Sequence, residues 1–166
     1  MTSYFKKFPI IDYDVKGTGK IFLQVPDILR RIRVRQNIVD NVVIFDKYFI
    51  ESNERPDIVA FKQYSDSDLY WIILLINGYT NPYYHWPLDY PELTRFVEKK
   101  YSSGLSGIHH YEDSDGFVVD STQGGAIPVT NLIYEEVKNE EYRSIKILKN
   151  KFVPDFISEF NSLVNS

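Results

Sequence analysis

Residues 42–90 read VVIFDKYFIESNERPDIVAFKQYSDSDLYWIILLINGYTNPYYHWPLDY, and this stretch decides the predicted fold. Its first nine residues are rich in β-branched and aromatic side chains, which favours a strand. Pro56 follows a polar turn and suits the first turn of a helix. A second helix, apolar nearly all round, is predicted over residues 69–76 and should be buried. With a short extended piece over residues 86–90, the stretch predicts a strand–helix–helix–strand unit, its helices covering one face of a two-stranded antiparallel sheet.

The residues ahead of this stretch predict an extended N-terminal arm. Tyr4, Phe5 and Phe8 surround a proline-containing segment that a helix interior would not tolerate, and a glycine-containing loop follows. A short strand is predicted over residues 21–25. Aromatic residues on an arm of this kind suit a segment that becomes ordered on a partner, so these three residues are candidates for a protein interface.

A short basic cluster follows the arm. Asp27 gives an N-cap-like start for one or two helical turns that carry Arg30, Arg31 and Arg33. Binding to nucleic acid needs several phosphate contacts from such residues. Here the cluster is short, the net charge of the chain is −4, and no nucleic-acid-binding motif flanks it. The cluster therefore predicts docking to an acidic protein surface and not to nucleic acid.

The last third of the chain predicts a helix, a hairpin and a C-terminal helical region. A helix is predicted over residues 92–101, a hairpin turning at Asp115-Gly116 and a helix over residues 133–138. Residues 140–160 carry the longest helical pattern, which a proline splits or kinks. The amphipathic end of this pattern suits a partner's groove, and its candidate interface residues are Phe152, Phe156 and Phe160.

Together these elements predict a small α+β chain. Hydrophobic residues make up 43% and charged residues 25% of the 166, which is typical of a globular protein. The chain also has 13 Tyr, 11 Phe and 2 Trp, and such rings serve a small core and a protein interface equally well. The predicted regions are an N-terminal arm with a short helix, the strand–helix–helix–strand module, and a helix, hairpin and C-terminal extension: 1–41, 42–90 and 91–166.

Several functional classes are disfavoured by composition and motif. The chain has no Cys, so disulfide and thiolate chemistry are excluded. His109 and His110 are adjacent on a predicted strand and should point to opposite sides, so they should not share a metal. We find no zinc-protease, serine-elbow or phosphate-loop motif. We therefore predict that the chain is not an enzyme and binds no metal or cofactor, and that it has no signal peptide or membrane span.

Residues 48–90 resemble a LysM module. The resemblance rests on Tyr48-Phe49-Ile50 in the first strand, Ile58-Val59-Ala60 in the first helix, Trp71-Ile72 in the second, and the Asn81-Pro82 turn. Arg-Pro-Asp replaces the common Gly-Asp-Thr turn of that family, and Trp-Pro-Leu replaces its Pro-Gly-Gln. Many LysM modules bind N-acetylglucosamine polymers, so the resemblance implies an alternative function, binding of peptidoglycan or chitin. The residues for that alternative are Glu54, Arg55, Asp57, Asn77, Tyr79 and Asn81.

Longer stretches resemble a narrower family. The strings YFKKFPIIDYD, ERPDIVAFKQYSDSDLYWIILLINGYTNPYYHWPL and HHYEDSDGFVVD…PVTNLIYEEVKNEEYRSIKIL are similar to baseplate wedge protein 53 of T4-like contractile-tailed bacteriophages. The resemblance implies a structural subunit of the virion, assembled in the host cytoplasm, that links neighbouring wedge proteins around the tail hub in a sixfold assembly. It also implies other wedge and hub proteins as partners and no activity, cofactor or membrane. The aromatic interface candidates of the module are Tyr79, Tyr83, Tyr84 and Trp86.

Overall fold

The computed structural model describes residues 4–30, 32–34 and 43–165, and within them the fold is α+β, as predicted. The strands are β1 (Ile10–Asp14), β2 (Phe22–Pro26), β3 (Phe45–Phe49), β4 (Ile108–Glu112), β5 (Val118–Val119), β6 (Ile127–Thr130) and β7 (Ser144–Leu148). The helices are α1 (Pro56–Tyr64), α2 (Tyr70–Ile76), α3 (Pro82–His85), α4 (Tyr90–Lys100), α5 (Asn131–Glu141) and α6 (Val153–Asn165). Arg31 and the predicted start of the strand at Val42 lie outside the described residues. None of these helices is long and apolar enough to cross a membrane.

The chain forms two compact units that are discontinuous in sequence. The first unit combines the N-terminal region up to Tyr48 with residues 54–82 and the C-terminal region from Ile145. The second unit contains residues 49–53 and 83–144. These boundaries cut across the three sequential regions that the sequence predicts, because the C-terminal segment returns to the first unit.

The predicted closing strand at residues 86–90 is wrong. β3 pairs instead with β7, at the far end of the chain. The Lys149 N–H donates to the Ile44 carbonyl at 3.0 Å, and the Ile50 N–H donates to the Arg143 carbonyl at 2.9 Å. These two bonds lie at opposite ends of the pair, so the strands run antiparallel. The strand that pairs with β3 therefore does not follow α2 directly. It comes only after the elements α3 to α5.

A side-chain amide explains why residues 86–90 do not form a strand. The Leu88 N–H donates to Asn139 Oδ1 at 2.7 Å, and Asn139 Nδ2 donates to the Leu88 carbonyl at 2.9 Å. Asn139 is only 7% exposed. Because a buried backbone segment must find partners for its polar groups, this amide takes the place of a neighbouring strand.

The helix predicted over residues 140–160 is also wrong. α5 ends at Glu141, β7 occupies residues 144–148, and α6 begins at Val153. Ile145 and Ile147 alternate with polar residues and are 1% and 4% exposed, a period of two that belongs to a strand. Pro154 does not kink a long helix, since it lies in the first turn of α6, where a missing N–H has little cost.

The start of the predicted N-terminal arm packs on the core of the first unit through Tyr4 and Phe8, and Tyr4–Lys7 form a 3-10 turn and not an extended segment. Phe8 is 6% exposed, and the Tyr4 ring centroid lies 5.5 Å from that of Trp71. Trp71 in turn packs on Phe160 of α6 with 4.6 Å between ring centroids. Phe8 and Phe160 are therefore buried and do not offer a surface to a partner. The helix α2 is apolar nearly all round, so the chain must cover it from more than one side.

The second unit contains a three-stranded antiparallel sheet and two packed helices. The sheet has the order β5-β4-β6, and the predicted hairpin turn is confirmed by Gly116, whose φ is +83°. Leu93 and Val97 of α4 are buried. The helix predicted over residues 133–138 is present as α5 but begins earlier, at Asn131, because the Thr130 side chain caps it by accepting the Ile133 N–H at 3.3 Å.

We predict that Phe8→Ala lowers the free energy of unfolding by about 3–5 kcal/mol, because it leaves a cavity beside the aromatic rings of the core. Urea denaturation followed by far-ultraviolet circular dichroism measures the change. Phe61→Ala, at a ring that is 63% exposed, is the control and is expected to change stability by about 0.5 kcal/mol or less. Equal effects of the two substitutions would mean that the N-terminal segment is not core.

Candidate protein-binding surfaces

The β1–β2 hairpin has one wholly apolar face. In its register Ile11 lies opposite Val25 and Tyr13 lies opposite Leu23, and residues at these alternate positions share a face. Tyr13 and Leu23 are each 54% exposed, and Ile11 is also exposed. The opposite face is mixed, because Asp12, Asp14 and Gln24 lie there between the exposed apolar residues Ile10 and Phe22. A hairpin with this pattern presents apolar side chains to solvent that a monomeric protein usually covers.

The turn of this hairpin is held by its own side chains. The Asp14 carboxylate accepts the backbone N–H groups of Lys16 and Gly19. Gly17 and Gly19 have φ of +64° and +68°, a conformation that costs glycine little. These bonds close the loop locally, so the apolar face is displayed by a defined turn.

A second surface is an open groove of about 890 Å³ in the first unit. Its lining comes from the N-terminal turn, a 3-10 helix at Tyr4–Lys7, from residues 30 and 32–34, from α2 and the residues after it up to Pro82, and from one residue of β7. It brings together interface candidates that the sequence predicts in three separate segments: Tyr4, Phe5, Arg30, Arg33 and Tyr79. Sequence reasoning did not connect these segments, because nothing local indicates that the N-terminal turn returns to α2.

The predicted basic cluster is divided by its contacts. The Arg30 guanidinium donates to Asp27 at 3.1 Å and to the Val164 carbonyl at 2.7 Å, which ties it to the end of α6. The chain forms a turn after Asp27 and not the predicted helix. Arg33 is exposed, and so it is the member of the described cluster that is best placed to meet a partner.

The remaining predicted aromatic candidates lie in different environments. Tyr83 and Tyr84 on α3 are 86% and 73% exposed, whereas Trp86 is half-buried. Phe152 and Phe156 are half-buried and pack against the core of the first unit. Tyr83 and Tyr84 therefore remain surface candidates for a partner, while the two phenylalanines mainly extend the core.

The residues predicted for glycan binding are largely used inside the fold. Glu54 is 7% exposed, accepts the Tyr48 hydroxyl at 2.9 Å and pairs with Lys62. Asn77 donates to the Ile73 and Lys146 carbonyls at 2.8 and 2.9 Å and accepts the Lys146 N–H at 2.9 Å. These side chains hold loops and a strand in place. Arg55 pairs with Asp57 at 3.2 Å, while Tyr79 and Asn81 are half-buried.

The sequence predicts that the His109 and His110 side chains point to opposite sides of a strand, but in the structure they do not. A bulge shifts the register between Ile108 and His110, and the two Nδ1 atoms lie 2.8 Å apart. One ring must therefore donate and the other accept. Burial and the neighbouring His110 lower the pKa of His109. Within the part of the chain that the structure describes, no group of three or more His, Cys, Asp or Glu residues is arranged to hold a metal ion.

A buried carboxylate anchors α5 in the second unit. Glu135 accepts Lys100 Nζ at 2.7 Å and the Tyr101 hydroxyl at 2.6 Å. Burial raises the pKa of Glu135, but these two hydrogen bonds outweigh that effect, and the net pKa lies below its ordinary value of 4.5. The charged form is thus stabilised by folding.

We predict that Asn77→Ala lowers the free energy of unfolding by about 2–4 kcal/mol, because it removes three hydrogen bonds, two of which join the end of α2 to the backbone of Lys146 in β7. Thermal and urea unfolding measure the loss. Gln123→Ala removes an amide from an exposed loop and should leave stability unchanged. A loss as small as that of the control would show that water replaces the Asn77 contacts.

We predict that Lys100→Met makes stability depend differently on pH. In the native chain the depressed pKa of Glu135 contributes stability above pH 4.5 that is lost as the pH falls through the folded-state pKa. Without Lys100, burial dominates and the charged carboxylate is penalised. The difference in the free energy of unfolding between the native protein and Lys100→Met, measured with urea, should therefore increase from about pH 4 to pH 7. Lys99→Met, at an exposed neighbour, should give a constant, small gap. A constant gap for Lys100→Met would mean that the ion pair is not coupled to folding.

Comparison with known proteins identifies the family. A search of curated proteins gives no match. The family model described as base plate wedge protein 53 matches residues 3–119, which is well over half of the chain. The match covers the β1–β2 hairpin, the helices α1 to α4 and the β4–β5 hairpin. The elements β6, α5, β7 and α6 lie beyond it. The chain belongs to the base plate wedge protein 53 family and is a structural protein of the phage tail baseplate.

Proposed function

We propose that this protein links neighbouring wedge proteins around the tail hub, and that the apolar face of the β1–β2 hairpin is one of the surfaces that bind them. The proposal includes the sixfold arrangement of the wedges, assembly in the host cytoplasm and the absence of an enzymatic activity. The family match supports a place among other baseplate proteins. The observation that carries the proposal is the exposure of Ile11, Tyr13 and Leu23 on one face.

The energetics of the hairpin support this role. An isolated two-stranded sheet is marginally stable in water, and packing of one face against another element stabilises it. The face contains a tyrosine, which buries an apolar ring and keeps a hydroxyl for a hydrogen bond, a combination enriched at interfaces. Burying a large apolar side chain such as Leu23 fully in an interface contributes about 1.5–3 kcal/mol of favourable free energy. A partner that covers Tyr13 and Leu23 therefore gains affinity and stabilises the hairpin.

A pair of substitutions on one strand tests the proposal. Leu23→Asp places a charge on the apolar face, and Phe22→Asp places the same charge on the opposite face of the hairpin. Both side chains are about equally exposed, at 54% and 55%, so neither substitution should unfold the chain. We predict that Leu23→Asp weakens binding to the wedge proteins by about thirtyfold or more, as expected for an anchor at an interface centre. Phe22→Asp should bind nearly as the native protein does.

Binding is measured by coexpression with the other wedge proteins of the same phage, followed by affinity purification of the complex and titration of the purified components. Circular dichroism of each variant alone checks that it is folded. If Leu23→Asp formed the complex normally, the apolar face would be rejected as a binding surface, whatever the binding of Phe22→Asp. Absence of any complex with the native protein would reject the linking function itself.

A further inference from the structure

The groove of the first unit has an apolar floor and a positively charged border. Phe5, Tyr70, Trp71 and Leu74 contribute ring and aliphatic surface. The charged residues that line it are Arg30, Arg33 and Lys146, and none of its described lining residues is acidic. Trp71, which lines the groove, has an indole N–H with no acceptor among the residues that the structure describes. The groove therefore suits a segment that combines apolar side chains with carboxylates.

The helix α5 of the same protein has such a face. Ile133 and Val137 are four residues apart and are 47% and 58% exposed, although both are aliphatic. Glu136, Glu140 and Glu141 fall on the same side at helical spacing. The opposite side of α5 is buried through Asn131, Glu135 and Asn139, so the apolar and acidic stripe is the solvent-facing one.

We propose that the groove of one protein molecule receives the α5 helix of a second copy. In this contact Ile133 and Val137 pack on the aromatic floor, and the carboxylates of Glu136 and Glu141, which flank this apolar pair on its two sides, face the basic border of the groove. An amphipathic helix laid in an apolar groove is a common mode of recognition. Glu140 is in part committed to Arg143, at 2.8 Å, and so contributes less than the other two acids.

The charge distribution along the chain agrees with such a contact. Residues 1–50 contain nine Lys and Arg against five Asp and Glu, whereas residues 101–166 contain five against ten. The basic border of the groove and the acidic stripe of α5 attract each other, which favours this pairing over contact between two identical surfaces. The groove and the helix are different surfaces, so the contact is heterologous and repeats into a ring or an open chain of copies. This contact does not depend on the apolar hairpin face, which remains available to other wedge proteins.

Sedimentation velocity of the full chain tests the proposal without any other baseplate protein. The sample is measured from about 1 to 300 μM in low salt and again at about 0.5 M salt, where charges more than a few ångströms apart are screened. We expect the weight-average sedimentation coefficient to rise with concentration in low salt and to rise less in high salt. A native protein that stays monomeric over this range in low salt would overturn the proposal.

Charge reversal on each side then tests which surfaces meet. Arg33→Glu reverses the exposed charge at the groove border, and the double variant Glu136→Lys, Glu141→Lys reverses two charges on the helix. Each variant alone is expected to associate at least about tenfold more weakly than the native protein, because like charges then face each other. Mixing the two variants should restore association, because the altered groove of one variant then meets the altered helix of the other, and the native groove meets the native helix. This recovery is expected only if the groove of one copy meets α5 of another.

Matched controls separate this contact from general charge effects. Arg95→Glu and Glu159→Lys change exposed charges on α4 and α6, outside the groove and the α5 stripe, and should associate as the native protein does. Val137→Ser leaves every charge unchanged and is expected to weaken association by removing an apolar anchor. Circular dichroism and thermal unfolding verify each fold. Native-like association of both charge-reversed variants, or loss for the groove variant without recovery on mixing, would overturn the assignment of α5 as the occupant.

Discussion

The packing of Trp71 on Phe160 is the contact on which the first unit depends. It joins the helix α2 in the middle of the chain to α6 at the end, with 4.6 Å between the ring centroids. Tyr4 and Phe8 complete the cluster from the N-terminal side. Because three distant segments meet here, the unit is stabilised only when the N- and C-terminal parts of the chain are both in place, and β7 is then positioned to pair with β3.

Buried and half-buried asparagines hold irregular segments in place within each unit. Asn77 bonds to both backbone polar groups of Lys146 in β7, and Asn139 does the same for Leu88. Asn131 donates to the Ser103 side chain and the Gly104 carbonyl at 2.9 and 2.8 Å. An amide has both a donor and an acceptor, so it pairs with a backbone as a neighbouring strand would. These side chains let irregular segments be buried without unpaired polar groups.

The aromatic composition is divided between interior and surface, which bears on the assembly role. Trp71, Phe8 and Phe160 fill the core, whereas Tyr13 on the hairpin and Tyr83 on α3 are more than half exposed. Exposed rings of this kind are suited to contacts with other proteins, which agrees with membership of a baseplate protein family. The exposed set consists of distinct patches on the hairpin, around the groove and on α3, which suits a subunit with several neighbours.

The local sequence pattern by itself predicted the α+β class and most single elements, because each of these depends on residues close in sequence. These elements are the strand β3, the helices α1 and α2, the hairpin turn at Gly116 and the helix α5. The resemblance carried by three stretches between residues 4 and 148 also identified the family from sequence. Tertiary structure alone decided that β7 closes the sheet, that Phe8 is buried and that the N-terminal turn, Arg33 and Tyr79 line one groove. These features depend on pairing and packing between distant segments, and the free energy of such contacts is not encoded in the local periodicity of either partner.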